Sequence, residues 1–448
     1  MIRAARVAAA PDVRGIERRR LRLAMFAPVP PTPSGIAAYV ADLLPVLPDA
    51  WAIDLYTHAD VQPDTAALAR GRELAPACFA HTEFAARHAA DPYDLTIYQV
   101  GNSAAHDWML DYVLAHPGLL VLHDGVLHPA RVAAATQALD LHRYRRALRA
   151  CRPDVGNAIG HLVAGGLGGP ALYFTFPMCE DLVRASRLTA MHGEDACDWL
   201  RRLVPEAHVV PLAHWRAVEV DEARRASWRQ RLVGTGEVLI GSFGNIGGER
   251  RLDRVLRGLA GLEPRARVAG PGGEGRGAEK PGSTPTGARA DTRWRLVVAG
   301  RVDPDLDLPA LAEHLGIADR IAWQPDLDDA DFVALMAATD LGINLRYPPA
   351  RASSGVLHQL LQLGVPALVS DVVHAREYPV EAVAYIPPGP DDREHSALRA
   401  ALRRWIEDAR LRAAASRAAR NWAGGYVTPT QMRGGYITAV AKALASVA

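Results

Sequence analysis

Paired cysteines are absent from this sequence. The four present, Cys78, Cys151, Cys179 and Cys197, lie far apart with no C-x-x-C spacing, which gives no zinc signal and fits a reducing compartment, the cytoplasm. Excess charge is absent too. Lys and Arg number 51 against 50 Asp and Glu, a net +1, so no bulk field argues for nucleic acid or acidic lipid as the main partner. No segment is apolar enough to span a bilayer. Residues 1–20, rich in Ala and Arg and ending Glu17-Arg18-Arg19-Arg20, lack the apolar core of a signal peptide and read as a disordered tail. The weaker reading of that tail is a basic, peripheral contact with the inner face of the membrane. No short-period repeat is visible. A G-x-G-x-x-G fingerprint is missing as well: the stretch Gly244 to Gly248 has other spacing and no suitable acidic residue follows it, which disfavours a nicotinamide-dependent enzyme.

What is present is a repeated strand, loop, helix grammar. Leu21 to Phe26 is a short apolar run closed by a proline-rich loop, after which Ser34-Gly35 opens the helical pattern Ile36, Tyr39, Val40, Leu43, Leu44. Strands follow at Trp51 to Tyr56, Leu95 to Gln99, Leu119 to Leu122 and Leu188 to Met191. A second series runs through Val238 to Phe243, Leu296 to Ala299, Arg320 to Trp323, Asp340 to Leu345 and Val365 to Val369. Between them Glu263 to Thr292 is dominated by Gly, Pro, Ala and Arg and cannot fill a core, so 264–292 reads as a disordered insertion. Trp405 to Trp422 reads as a helix, and Thr428 to Val447 as another that packs back on the first domain. The expected class is therefore α/β, with an N-terminal domain over 21–213 completed by 425–448 and a C-terminal domain over 214–424. Two doubly wound domains in tandem hold ligands at the carboxyl ends of their strands, here in an expected interdomain cleft.

Five loops are candidates for that site, and each has an ordinary alternative. Arg351 to Gly355 leads into a short helix ended by Gly364-Val365-Pro366. Ser353 or Ser354 can cap this helix, and Gly355 lets a phosphate approach its N-terminus; any strand-to-helix turn also wants a cap. Phe243-Gly244-Asn245-Ile246-Gly247-Gly248-Glu249-Arg250-Arg251 offers glycines to a diphosphate and two arginines to neutralise it, or is a plain turn with a solvated pair. His123-Asp124 ends a buried strand, where an imidazole contacts a sugar hydroxyl, transfers a proton, or is merely satisfied in the core. Tyr98-Gln99-Val100-Gly101-Asn102 ends another, with Asn102 and Ser103 as hydroxyl partners or caps, and Ser34-Gly35 presents N–H groups or simply caps. His192 reads as structural. The aspartates at 303–307 and 326–329 read as helix caps rather than metal ligands.

The order and spacing of Pro33-Ser34-Gly35-Ile36-Ala37, Tyr98 to Asn102, Leu122-His123-Asp124, Phe243 to Ile246 with Arg250-Arg251, and Ser353-Ser354-Gly355 with Gly364-Val365-Pro366 resemble the family-4 retaining glycosyltransferases of GT-B fold. The resemblance covers Leu21 to Val447. It implies two Rossmann-like domains facing across a cleft, a nucleotide-sugar donor (a UDP- or GDP-sugar), no obligatory cofactor or metal, and a glycan, lipid-linked or small-molecule acceptor. By it, Gly35, Arg250, Arg251, Ser353, Ser354 and Gly355 bind the donor, His123 with Asp124 faces the transferred sugar, and Asn102 and Ser34 lie on the acceptor side. Two glutamates common in such enzymes are replaced here by Ala352 and Leu360. Glu377 is a substitute carboxylate, and a catalytically degenerate nucleotide- or glycan-binding scaffold is the alternative.

Overall fold

The structure, a computed structural model, describes residues 13–32, 34–58, 71–75, 77–262, 294–372, 377–389 and 392–446. The insertion expected over 264–292 and residues 1–12 of the expected tail lie outside them. The chain forms two compact units, one of residues 1–217, 348–359 and 422–448, the other of residues 218–347 and 360–421.

In the first unit, strands β1 (Leu21–Phe26), β2 (Trp51–Thr57), β3 (Cys78–Ala80), β4 (Leu95–Val100), β5 (Leu119–Leu122), β6 (Leu188–His192) and β7 (Val209–Leu212) form one sheet in the order β3-β2-β1-β4-β5-β6-β7. Every pairing is parallel. All residues of β4 and β5 are buried, as expected where helices cover both faces. Side chains alternate between two cores. Leu23, Met25, Ile97 and Val121 pack with Tyr39, Val40 and Leu43 of the helix Gly35–Leu43 and with Met432, Tyr436 and Val440 of the helix Pro429–Ala445. Ala24, Phe26, Tyr98, Leu120 and Leu122 face the opposite way, onto Phe84, Met109, Leu182 and Leu200.

The tail is shorter than the sequence suggests. Val13–Ile16 form a turn of helix, the Ile16 carbonyl accepts from Trp51 Nε1 at 3.2 Å, and Glu17 pairs with Arg433 at 2.8 Å. Anchors of this kind tie down a segment whose composition alone reads as unstructured.

In the second unit, β8 (Val238–Phe243), β9 (Trp294–Ala299), β10 (Ile321–Gln324), β11 (Leu341–Asn344), β12 (Ala367–Ser370) and β13 (Val383–Ile386) form a second parallel sheet in the order β10-β9-β8-β11-β12-β13. One face buries Ile240, Leu296, Val298, Ile343 and Leu368 against Val255, Leu256, Leu259, Leu398 and Leu402. Trp405 to Trp422, read as one helix, is two: Asp392–Glu407 and Ala409–Tyr426. Asp408 stands at the break, its carboxylate accepting from Leu411 N at 2.9 Å. Asp307 and Asp328 cap their helices through Ala310 N and Asp331 N, as their positions predict.

Both sheets carry the Rossmann order, in which connections leave in opposite directions from the first and fourth strands. Ligands of such sheets bind at the carboxyl ends beside that switch point, which is β1/β4 in the first unit and β8/β11 in the second.

Candidate functional site

At the carboxyl end of the first sheet the loops after β1, β4 and β5 converge. Ser34 caps the helix Gly35–Leu43, its Oγ accepting from Ile36 N at 3.2 Å. A Cβ built on Gly35 would meet nothing within 4 Å, so open space lies beside this helix start. A Cβ on Gly101 would instead strike Ile36 at 2.3 Å and approach Asp124 Oδ2 at 3.1 Å. The absent side chain is what lets the three loops close on one another. Asn102 is tied into the protein: its backbone N–H donates to Asp124 at 2.8 Å and its Oδ1 accepts from Ala130 N at 3.0 Å.

His123 is buried and both ring nitrogens are engaged. Nε2 lies 2.8 Å from the Gln99 side-chain oxygen, and Nδ1 lies 3.1 Å from Nε2 of His192. The chain continues from Gln99, whose amide donates to the Tyr436 hydroxyl at 3.0 Å, and Tyr436 in turn accepts from Tyr39 at 3.2 Å. At its other end His192 Nδ1 lies 3.4 Å from the Leu212 carbonyl. Burial pushes His192 down to about 3, and burial first, then the neighbouring His192 and His106, holds His123 well below its ordinary value. These imidazoles are neutral at physiological pH. The Gln99 oxygen only accepts, so a neutral His123 donates to it from Nε2 and its bare Nδ1 accepts from Nε2 of His192; the orientation of Gln99 thus sets the tautomer of both imidazoles.

His214 extends the cluster. Its Nδ1 lies 3.0 Å from Ser353 Oγ, and its carbonyl accepts from His358 Nδ1 at 2.8 Å. The Tyr39 ring stands edge-on to His123, His192 and His214, with centroids 4.9, 5.3 and 5.3 Å away. Burial, and then the other imidazoles, hold His214 well below the usual histidine range. Ser354 caps the helix Gly355–Gln362 by accepting from Leu357 N at 3.2 Å. A Cβ on Gly355 would lie 3.2 Å from His214 Nε2. The loop before this helix groups with the first unit, and its Ala350 carbonyl accepts from Gly125 N at 3.0 Å. Gln99, His214, His358 and Tyr436 are absent from the candidates read in the sequence, because their partners are distant in the chain.

In the second unit the loop after β8 is stitched to the loop after β9. Gly244 N donates to the Ala299 carbonyl at 2.8 Å and Ile246 N to Arg301 at 2.9 Å. Gly300 adopts φ 134°, and a Cβ there would fall 2.3 Å from the Gly244 carbonyl oxygen. The two arginines differ. Arg251, at φ 57°, ends a short 3-10 turn and turns its guanidinium inward, pairing with both oxygens of buried Glu394 and donating to the Gly389 carbonyl at 2.8 Å. Its charge is largely spent on Glu394. Arg250 pairs with the partly exposed Glu249 of the same turn at 3.7 Å. Ala352 and Leu360 are buried, and Leu360 packs on Gly342 of β11. Glu377 is exposed. No group of His, Cys, Asp or Glu among the described residues is arranged to hold a metal ion.

No protein-family model matches the chain, and no curated protein resembles it in sequence. Solved structures do. HepE of Anabaena in complex with UDP-glucose superposes with a TM-score of 0.60 at 14% identity, covering 92% of this chain and 97% of that one. The fold is GT-B. Sucrose-phosphate synthase from Thermosynechococcus elongatus gives a TM-score of 0.59 at 12% identity, covering 92% and 96% of the two chains. WaaG, a glycosyltransferase of lipopolysaccharide biosynthesis, gives 0.55 at 16% identity, covering 92% and 98%. Both GT-B domains are thus present in this chain, each with its loops at the carboxyl strand ends.

Proposed function

We propose that the chain is a family-4 type, retaining glycosyltransferase that moves a sugar from a UDP- or GDP-sugar to a hydroxyl of a glycan, lipid-linked or small-molecule acceptor. One observation carries the reading: the chain shares its GT-B fold over 92% of its length with HepE, a protein whose structures hold UDP and UDP-glucose. In this reading the diphosphate lies against Gly35 and the helix start at Ser353, Ser354 and Gly355. Arg250 supplies the balancing charge, while Arg251 fixes the loop that carries it.

Charge develops on the leaving diphosphate, and fixed cations and helix N-termini stabilise it without reorganising. As the bond from sugar to diphosphate breaks, the acceptor oxygen attacks on the same face and gives its proton to the departing phosphate oxygen. No protein base is required. That suits His123, whose nitrogens are turned into the protein; it serves as a neutral, fixed wall for the sugar, with Asp124, Asn102 and Ser34 holding the surrounding loops. Glu377 is the candidate substitute carboxylate for the replaced glutamates.

A thermal-shift series with UDP, GDP, ADP, TDP and their sugar conjugates tests the donor site, because a ligand that binds only the folded state raises Tm. Stabilisation by one nucleotide family, lost in Arg250→Ala, is the expected result; equal melting with all of them would sink the reading. Ala352 and Leu360 support a second reading, a GT-B protein that binds a nucleotide without transferring sugar. Binding accompanied by neither transfer nor donor hydrolysis would favour it.

A further inference from the structure

Between β5 and β6 the first unit inserts a helical hairpin that the glycosyltransferase reading does not use. Helix Leu141–Cys151 and helix Gly156–Ala164 are joined by residues 152–155. Gly156 lies so close to Leu148 that a Cβ would fall 2.6 Å from its carbonyl oxygen, and a Cβ on Gly160 would touch Arg145 at 3.1 Å. Moving four residues up one helix matches moving three down the other, so the pair is antiparallel. Its open end therefore sets Leu141 beside the end of the second helix near Ala164.

Two features meet on this hairpin. Along its length His142, Arg145, Arg146, Arg149, Asn157 and His161 line one cavity of about 530 Å³. Arg143 is paired with Asp107 and Asp111, and Arg152 with Asp154. Arg145, Arg146 and Arg149 have no carboxylate partner among the described residues, and Arg145 Nε is buried with no hydrogen-bond acceptor. At the open end stand Leu139, 91% exposed, and Leu167, 68% exposed, with Leu141 and Leu162 also exposed. They are four of the eight large apolar side chains exposed among the described residues, so this is no random scatter. Leu167 N donates to the Leu162 carbonyl at 2.9 Å, which folds the glycine-rich turn back so that both leucines share the tip.

We propose that this hairpin docks the protein on an anionic lipid bilayer, with the leucine tip entering the headgroup boundary and the unpaired arginines on lipid phosphates. Apolar insertion plus basic attraction is what distinguishes a bilayer from a soluble polyanion as the partner. In the N-terminal segment, by contrast, Ile16 and Glu17 are engaged by Trp51 and Arg433 within the protein, and among its described residues no large apolar side chain is exposed. The inference is independent of nucleotide binding.

The test is co-sedimentation of the full chain with vesicles of phosphatidylglycerol in phosphatidylcholine, and with phosphatidylcholine alone. The expected result is binding to the anionic vesicles only, weakening as salt rises. Each arginine adds about fivefold to affinity, so Arg146→Gln with Arg149→Gln lowers it by roughly thirtyfold. Leu139→Ser with Leu167→Ser weakens vesicle binding while leaving binding to inorganic polyphosphate unchanged. All four positions are exposed, so unchanged Tm shows that the variants fold. Equal binding to neutral vesicles, no vesicle binding, or leucine variants that bind as the parent does would each overturn the proposal; the last, with tight polyphosphate binding, would mark a site for soluble polyanions.

Discussion

The carboxyl ends of the two sheets are furnished with opposite chemistry. The first gathers imidazoles, phenols and an amide whose hydrogen bonds close on one another: Tyr39, Gln99, His123, His192, His214 and Tyr436. The second gathers glycines and guanidinium groups, with one arginine locked onto a buried carboxylate. A neutral, directional network holds shape but offers no charge. A loop with a cation at its lip offers charge, provided a second ion pair holds it still. In the proposed reading the same Rossmann order supports a wall in one unit, built from strand ends and helices (Gln99, His192, Tyr39 and Tyr436), and an anion holder in the other, built from loops.

Acid is the strongest way to separate the two. Every buried histidine among the described residues lies in the first unit. Burial lowers His106 and His128 from 6.5 to about 4 and His192 to about 3, and holds His123 and His214 well below their ordinary value. Below pH 6.5 the unfolded chain takes up protons that the folded unit refuses, so stability present above the unfolded value is lost as pH falls towards the folded ones. Each such imidazole steepens the loss by about 1.4 kcal/mol per pH unit. Between pH 6.5 and 5 the carboxylates of the unfolded chain are still mostly ionised, so the histidines dominate this window, with buried Glu180, whose carboxyl burial pushes up, acting in the opposite direction. Urea unfolding at pH 7.5, 6 and 5 should show the first unit failing first; a second unit that fails first, or a flat profile, would break the contrast.

Next in size is the arginine pair of the second unit. Arg251→Ala leaves Glu394, 1% exposed, as a buried charge without its partner, a loss of about 3–5 kcal/mol. Arg250→Ala removes the pair with the partly exposed Glu249 and should cost about 1 kcal/mol or less, in the range of an exposed pair. The two variants separate stability from affinity: the first melts early, the second melts normally and binds nucleotide poorly. If both melted alike, the division of labour between the two arginines would be wrong.

A smaller effect is expected in the first network. Tyr436→Phe removes the one hydroxyl that meets both Tyr39 and the Gln99 amide, leaving two buried polar groups short of a partner at about 1–3 kcal/mol. It should also change the side-chain nitrogen resonances of His123 and His192, since Gln99 turns freely once Tyr436 no longer orients it. An altered Tm with unaltered imidazole resonances would mean that the bonds do not act as one chain.

How much of this was legible beforehand follows from the range of each interaction. Strands β1, β5 and β8 can be read to the residue, because continuous apolar runs bounded by Gly, Pro or charge carry their own signal. Cys78–Ala80 and Val383–Ile386 cannot: three- and four-residue edge strands show no period, and Val209–Leu212 carries a proline, which demotes it. Caps such as Ser34, Asp307 and Asp328 are legible, since their partners lie two or three residues away. Arg251 is legible only as a cation beside glycines. That it faces Glu394, 143 residues further on, depends on how the helix Asp392–Glu407 packs, and no local pattern records it. The same holds for Gln99 with Tyr436, 337 positions apart, and for His214, which follows a strand, Val209–Leu212, that itself escapes notice.

The gentlest test falls on Ser353. Its hydroxyl lies 3.0 Å from His214 Nδ1, and a neutral hydrogen bond of this sort is worth about 1 kcal/mol, so Ser353→Ala should lower Tm slightly. The hydroxyl has two lone pairs and one proton. It can satisfy His214 and still donate to a phosphate oxygen, in which case Ser353→Ala loses nucleotide affinity by more than its small effect on Tm accounts for, while Ser353→Thr keeps it. If the alanine variant binds nucleotide as the parent does, the hydroxyl serves His214 alone. The anion site would then reduce to the backbone of the helix start and Arg250, and the neutral network would be confined to shaping the first unit.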